Sequence, residues 1–212
     1  MFKFDDQQLA NDLAVLSDTS RAAFAAACAQ RLMPCWIAYT NANQDSCESS
    51  SVVTEGLDKL WSVIEVDDYG QTELCILLDE ISKRIPSEDE AWDIGVPYAE
   101  DAASIVAYAI QAKLENSCIA AMYCAKRAYE VADNFAINST NDRACGKLDE
   151  KKIANSAVVQ NELRRQQRDI RKLRKLEKRG AGAHEIVSSM RNAAVAESSS
   201  FFLRNDTTKN SS

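Results

Sequence analysis

Apolar positions recur along this chain with a helical period, and polar stretches cut them into segments of a few turns each. Leu9, Leu13 and Leu16 predict a short helix over 5–16. Asp18-Thr19-Ser20 offers N-cap residues for a second helix over 20–33, with Phe24, Cys28, Arg31/Leu32 and Cys35 in register. Pro34 is expected to break or kink it, because proline lacks the N–H and crowds the preceding turn. Trp36, Ile37 and Tyr39 continue the apolar surface, and 41–51 reads as a polar loop.

Leu57, Leu60, Trp61 and Ile64 fall on one face of a third helix over 51–65. Asp67 to Gly70 is a turn. A fourth helix covers 73–84, where Cys75 to Leu78 could also be a buried strand. Helix is preferred because Asp79, Glu80 and Lys83 continue the period. Ser87 and Glu90 have capping-box spacing, and Gly95 and Pro97 keep the helix they start short. Pro97 then opens a long helix to Leu114, with Ala102, Ile105, Val106, Ala109 and Ile110 facing inward. Glu115-Asn116-Ser117 separates it from a helix over 117–135, whose core stripe is sought among Ile119, Met122, Tyr123, Lys126 and Tyr129.

Residues 138–146 form another polar loop, followed by a long charged helix over 149–179. Beyond Gly180-Ala181-Gly182 only a weak helix at 184–196 and a mobile tail are expected. The predicted fold is all-α: a single compact multi-helix bundle over 1–179 with a long charged C-terminal helix, and a weakly helical or disordered, flexible tail over 180–212.

Composition supports this picture. The 212 residues are 46% hydrophobic, with only 6 Gly and 3 Pro, so turns are few. No run of apolar residues is long enough to span a membrane, and the first residues carry no apolar segment behind a basic start. A cytoplasmic protein that makes no membrane contact is expected. The 7 cysteines (28, 35, 47, 75, 118, 124 and 145) are odd in number and lack Cys-x-x-Cys spacing, so reduced thiols are expected rather than disulfides or zinc ligands.

Charge changes the picture more. Residues 1–146 carry 10 Lys and Arg against 24 Asp and Glu, whereas 147–212 carry 15 against 8. An acidic body is followed by a basic arm. Asp67, Asp68, Glu88, Asp89, Glu90 and Asp93 form a candidate partner-binding surface, because an acidic patch attracts basic partners. Arg164, Arg165, Arg168, Arg171, Lys172 and Lys175 form a candidate basic surface on the late helix. Val159, Leu163, Gln166, Ile170 and Leu173 make a seam along the same helix. The seam is expected to pack on the body, with the cations complementing its acidity. Nucleic-acid binding through them ranks second, and a coiled-coil homodimer is a third arrangement.

Catalytic chemistry finds little support. His184 is the one histidine, and no nucleophile with a supporting base surrounds it, so it reads as exposed and passive. Neither a phosphate-binding Gly-rich loop nor a dinucleotide fingerprint occurs. A carboxylate-only metal site from Asp58, Asp79, Glu100 and Asp101 ranks behind a solvated acidic face. No catalytic, metal or cofactor-binding residues are therefore assigned, and no cofactor is expected.

Four short motifs occur in order: Phe24-x-x-x-Cys28-x-x-Arg31-x-x-Pro34, Leu57-Asp58-x-x-Trp61, Ile85-Pro86-Ser87-x-Asp89, and Gly95-Val96-x-x-Ala99-x-Asp101-Ala102. Over about residues 20–175 the chain resembles the YjaG-like bacterial family, domain of unknown function 416. The resemblance implies a compact all-helical bacterial fold and names no activity. Within the motifs, Arg31, Asp58 and Asp101 are charges among core-type neighbours, a candidate buried polar cluster expected to pair as ions rather than to line a pocket. The expected function is that of a non-enzymatic acidic binding protein, in its most concrete form an immunity-type protein neutralising a basic bacterial toxin. The alternative is a housekeeping module, homodimeric in one version, that contacts nucleic acid through its basic helix.

Overall fold

The helix of residues Asp18–Ala42 (α2) is apolar on nearly every side, with Ala22, Ala23, Ala25, Ala26, Ala27 and Ala29 all fully buried. A helix of this kind is stable only when enclosed. In the computed structural model, which describes residues 2–43, 51–66, 70–139 and 150–198, α2 is the axis of the molecule.

Its neighbours follow one another around it: Ala99–Leu114 (α6), Cys118–Ser139 (α7), Ala157–Lys178 (α9), Ala183–Ser198 (α10) and Ser51–Val66 (α3). Alanine on the axis lets these helices approach closely, and α6 and α10 make the most extensive contacts. Asp6–Ala14 (α1) lies on α7, Gln71–Ser82 (α4) on α3 and α6, Glu88–Asp93 (α5) on α6, and Glu150–Ala154 (α8) on α7. The ten helices are the regular structure among the described residues, and the fold is all-α.

Pro34 does not end α2, which continues through it to Ala42. Proline removes one intrahelical bond, and the surrounding helices hold the rest. The start lies at Ser17, whose hydroxyl accepts from the Ser20 amide at 3.3 Å. The Cys75–Leu78 segment is helical, with Cys75 and Ile76 exposed.

The α7 stripe is displaced from the expected one. Of the expected positions Met122 is buried, and Ala120, Ala121, Cys124, Ala125 and Ala128 face inward with it, whereas Ile119 and Tyr123 are exposed. Small residues make the close contact and the large ones flank it: Tyr129 stacks on Phe4 with ring centres 4.8 Å apart, and Tyr123 lies against Tyr108.

The long charged segment is two helices, broken at Asn155-Ser156, where the Ser156 hydroxyl caps α9. Its seam residues Val159, Leu163, Gln166, Ile170 and Leu173 are all buried. The segment after 180 needs the larger correction. Gly180, at φ +72°, closes α9 in a Schellman turn, with Ala181 N–H donating to Leu176 and Gly180 N–H to Glu177. α10 then folds back, burying Ile186, Val187, Met190 and Ala194 against α2 and α3. The helix expected over 184–196 is present as Ala183–Ser198, but it closes the core instead of belonging to a flexible tail. The remainder of the expected tail lies outside the described residues.

Candidate functional site

The short helix α5 is built from local signals. The Ser87 hydroxyl accepts from the Glu90 amide, and the Glu90 carboxylate accepts from the Ser87 amide at 2.8 Å, a complete capping box. The far end is closed by Gly95 at φ +83°, with Val96 N–H donating to Ala91 and Gly95 N–H to Trp92. This tight stop leaves Trp92 47% exposed and turns the chain through Pro97 into α6.

A cleft of about 420 Å³ opens there. Glu88 and Trp92 of α5 form one wall, and Glu100 and Asp101 of the first turn of α6 form another. α7 supplies Arg127, Glu130, Asp133 and Asn138 at spacings that share one face. Five carboxylates thus face a single cation among the lining residues. Arg127 Nη1 donates to Asp101 Oδ1 at 3.1 Å, and Glu130 lies 4.0 Å from the same nitrogen. Burial nevertheless pushes the Asp101 carboxyl up to about 6, with Arg127 opposing the shift and Glu100 adding to it. Burial also raises Asp133.

Across Trp92, Pro97, Tyr98 and Asn138 the acidic cleft joins an apolar one of about 400 Å³, floored by Cys35 and Ala38 of α2 and walled by Val96 and Phe135. Asn138 Nδ2 donates to the Tyr98 hydroxyl at 3.3 Å on this shared rim. One continuous groove therefore has an acidic half and an apolar half.

The charges singled out in the sequence divide between this groove and other places. Glu88, Glu100 and Asp101 line it. Glu90 is committed to its capping box, Asp89 and Asp93 are exposed on α5, and Asp67 and Asp68 lie outside the described residues. Arg31, Asp58 and Asp101 do not form a cluster. Asp58 is exposed and pairs with Arg191 of α10, and Asp101 pairs with Arg127. Arg31 is an ion-pair residue, but its partners are Asp169 of α9 and Glu197 of α10. Sequence reasoning missed Trp92 of α5 and Arg127, Glu130 and Asp133 of α7; the one signal for the α7 residues is their helical spacing.

Around Arg31 the basic helix turns part of its charge inward. Arg168 donates to Asp169 at 2.8 Å and to Glu197 at 2.5 Å, and Arg165 lies 3.6 Å from the buried Glu162. The Glu162 oxygen on the other side accepts from Gln166 Nε2 at 2.9 Å, and the same amide nitrogen donates to the Ala125 carbonyl of α7. Burial works against the Arg31 charge, but Asp169 and Glu162 outweigh it and hold the guanidinium firmly protonated. Burial raises the nearby Cys28 thiol, which stays neutral. Lys172 donates to the Ser189 carbonyl at 2.7 Å, leaving Arg164, Arg171 and Lys175 outermost. His184 is exposed and lies against Glu65. Among the described residues no three His, Cys, Asp or Glu side chains converge so as to hold a metal ion, and no helix is long and apolar enough to cross a membrane.

A family model described as a protein of unknown function, DUF416, matches residues 8–201. The chain belongs to the DUF416 family. A crystal structure of a DUF416 family protein from Shewanella baltica OS155 is similar to it, with a TM-score of 0.68 and 18% identity. The match covers 92% of this chain and 95% of that one, which shows that the two share a fold. No curated protein matches at a significant level. In this DUF416 protein, residues of all four motifs that carried the resemblance have structural roles: Arg31 holds α9 and α10, Leu57 and Trp61 are core, Ser87 caps α5, and Gly95 closes it. Asp101, from the fourth, lies in the cleft.

Proposed function

We propose that this protein is a non-enzymatic binding protein that receives a basic, partly apolar segment of a protein partner in the groove between α5, α6 and α7. The observation that carries this reading is the lining of the cleft: five carboxylates against Arg127, next to an apolar lobe with a half-exposed tryptophan on the rim. A guanidinium or ammonium group entering the acidic half gains the carboxylates and the face of Trp92. An adjacent aliphatic or aromatic side chain fills the apolar half. Aromatic anchors surrounded by complementary charge are the usual strong points of protein interfaces.

The concrete version is an immunity-type protein whose partner is a basic toxin. Co-expression with the product of the adjacent gene tests it. Protection, together with a complex that Glu130→Gln/Asp133→Asn weakens, supports this version. Absence of both protection and complex removes it and leaves the groove to be tested with peptides.

A further inference from the structure

The outer face of α9 holds a second concavity, remote in chemistry from the acidic groove. It encloses about 410 Å³ and is lined by Arg164, Arg165, Arg168 and Arg171, with Asn161, Gln167 and Phe2. Four of the six basic residues singled out in the sequence therefore share one pocket. Arg164, Arg168 and Arg171 lie at i, i+4 and i+7, so they project from one side of the helix.

The charges here do not cancel. Arg31, Arg165 and Arg168 are paired with Glu162, Asp169 and Glu197 on the inner side of α9. Arg164 and Arg171 donate only to neutral amide oxygens among the described residues, Asn161 Oδ1 at 2.6 Å and Gln167 Oε1 at 3.0 Å. Two guanidiniums thus remain uncompensated at the mouth. The chain as a whole is acidic, but a local cluster of this kind sets the potential where a ligand arrives.

The aromatic wall is fixed in place. Gln160, itself buried, accepts from the Phe2 amide at 3.0 Å and donates to the Phe2 carbonyl at 2.9 Å. The same amide nitrogen donates to the Ala154 carbonyl at the end of α8. These bonds pin the segment before α1 beside α9 and hold the half-buried Phe2 ring at the pocket.

We propose that this pocket binds a nucleotide unit, with the phosphate on Arg164 and Arg171 and the base against Phe2 and the guanidinium planes. Guanidinium forks match phosphate oxygens two at a time, and flat aromatic and guanidinium faces stack on bases. The same chemistry is presented by a free nucleoside phosphate and by a nucleotide of a single strand.

Titration calorimetry on the full chain at low salt with ATP, inorganic pyrophosphate and a short single-stranded RNA tests this site. ATP is expected to bind more tightly than pyrophosphate, with Phe2→Leu removing that difference. Arg164→Gln/Arg171→Gln is expected to weaken ATP by about tenfold or more, with the circular dichroism spectrum unchanged because both side chains are exposed. RNA binding that exceeds ATP binding and falls steeply with salt identifies the single strand as the source; equal or weaker RNA binding identifies the free nucleotide. The proposal is overturned if ATP fails to bind, if pyrophosphate binds as tightly as ATP, or if the double arginine variant binds ATP like the parent.

Discussion

Arg31 of α2 and Asp169 of α9 form an ion pair in which the side chains are 1% and 0% exposed. Arg31 also donates to Glu197 of α10 at 3.0 Å, so one guanidinium ties the axial helix to two of the helices around it. Loss of one partner from a buried pair leaves the other charged and unsolvated, which costs about 3–5 kcal/mol. Arg31→Met and Asp169→Asn are each expected to lower stability by about that amount in urea unfolding. The double variant Arg31→Met/Asp169→Asn is expected to lose less than the sum, since no orphaned charge remains between them. Additive losses would show that the pair is not coupled.

α10 is expected to behave as core. Met190 is fully buried, and Met190→Ala should cost about 2–5 kcal/mol. Truncation after Gly182 should abolish cooperative unfolding, read by near-UV circular dichroism, because it uncovers α2 and removes Glu197 from Arg31, Arg165 and Arg168. A truncated chain with parental unfolding would return this segment to the status of a tail.

These two cases mark what was legible. The α2, α3 and α6 stripes could be read because large apolar residues repeat at helical spacing. The seam of α9 could be read for the same reason, against its charged surroundings. α10 could be read as a helix but not as part of the core, because its inward face is short and includes Ala194, and its anchor is a glutamate that meets arginines far away in sequence. Of the groove, Glu88, Glu100 and Asp101 were legible, as members of acidic runs. Arg127, Glu130 and Asp133 were not, because a polar stripe on a helix gives no sign of whether it faces solvent or a cleft. Arg31, Asp58 and Asp101 stood out as charges in apolar company, but no local pattern names the partner that each finds.

Asp101 sets a pH dependence of stability. Its folded-state value near 6 lies above the ordinary carboxylate value of 3.8, mainly through burial, so the folded form holds the proton more tightly than the unfolded chain. Stability is therefore expected to rise as pH falls from about 6 towards 4 on account of this group. Asp101→Asn should be more stable than the parent at pH 8, by about 1–2 kcal/mol once partial exposure is allowed for, and the gap should close near pH 4. Equal stabilities at pH 8 would mean that Arg127 fully offsets the burial.

Gly95 lies at φ +83° with open space where a Cβ would stand, so the penalty for a side chain is conformational alone. Gly95→Ala is expected to cost about 1 kcal/mol and Gly95→Asn less, because asparagine tolerates the left-handed region better. Both variants should be compared by thermal unfolding and by Trp92 emission, which reports any shift of the α5 end.

Trp92 also allows the groove itself to be tested, since Trp36 and Trp61 are buried and Trp92 is half exposed. A short peptide of alternating leucine and arginine is titrated into the protein while tryptophan emission is followed at pH 7.5 and at pH 5. The expected result is a saturable change at pH 7.5 that the glutamate-for-arginine version of the peptide does not produce. Binding should weaken by about tenfold in Glu130→Gln/Asp133→Asn. It should also weaken at pH 5, where the peptide must displace the Asp101 proton, and Asp101→Asn should bind weakly with a smaller dependence on pH. No saturable change, or binding that the carboxylate variants leave untouched, would contradict a basic partner in this groove.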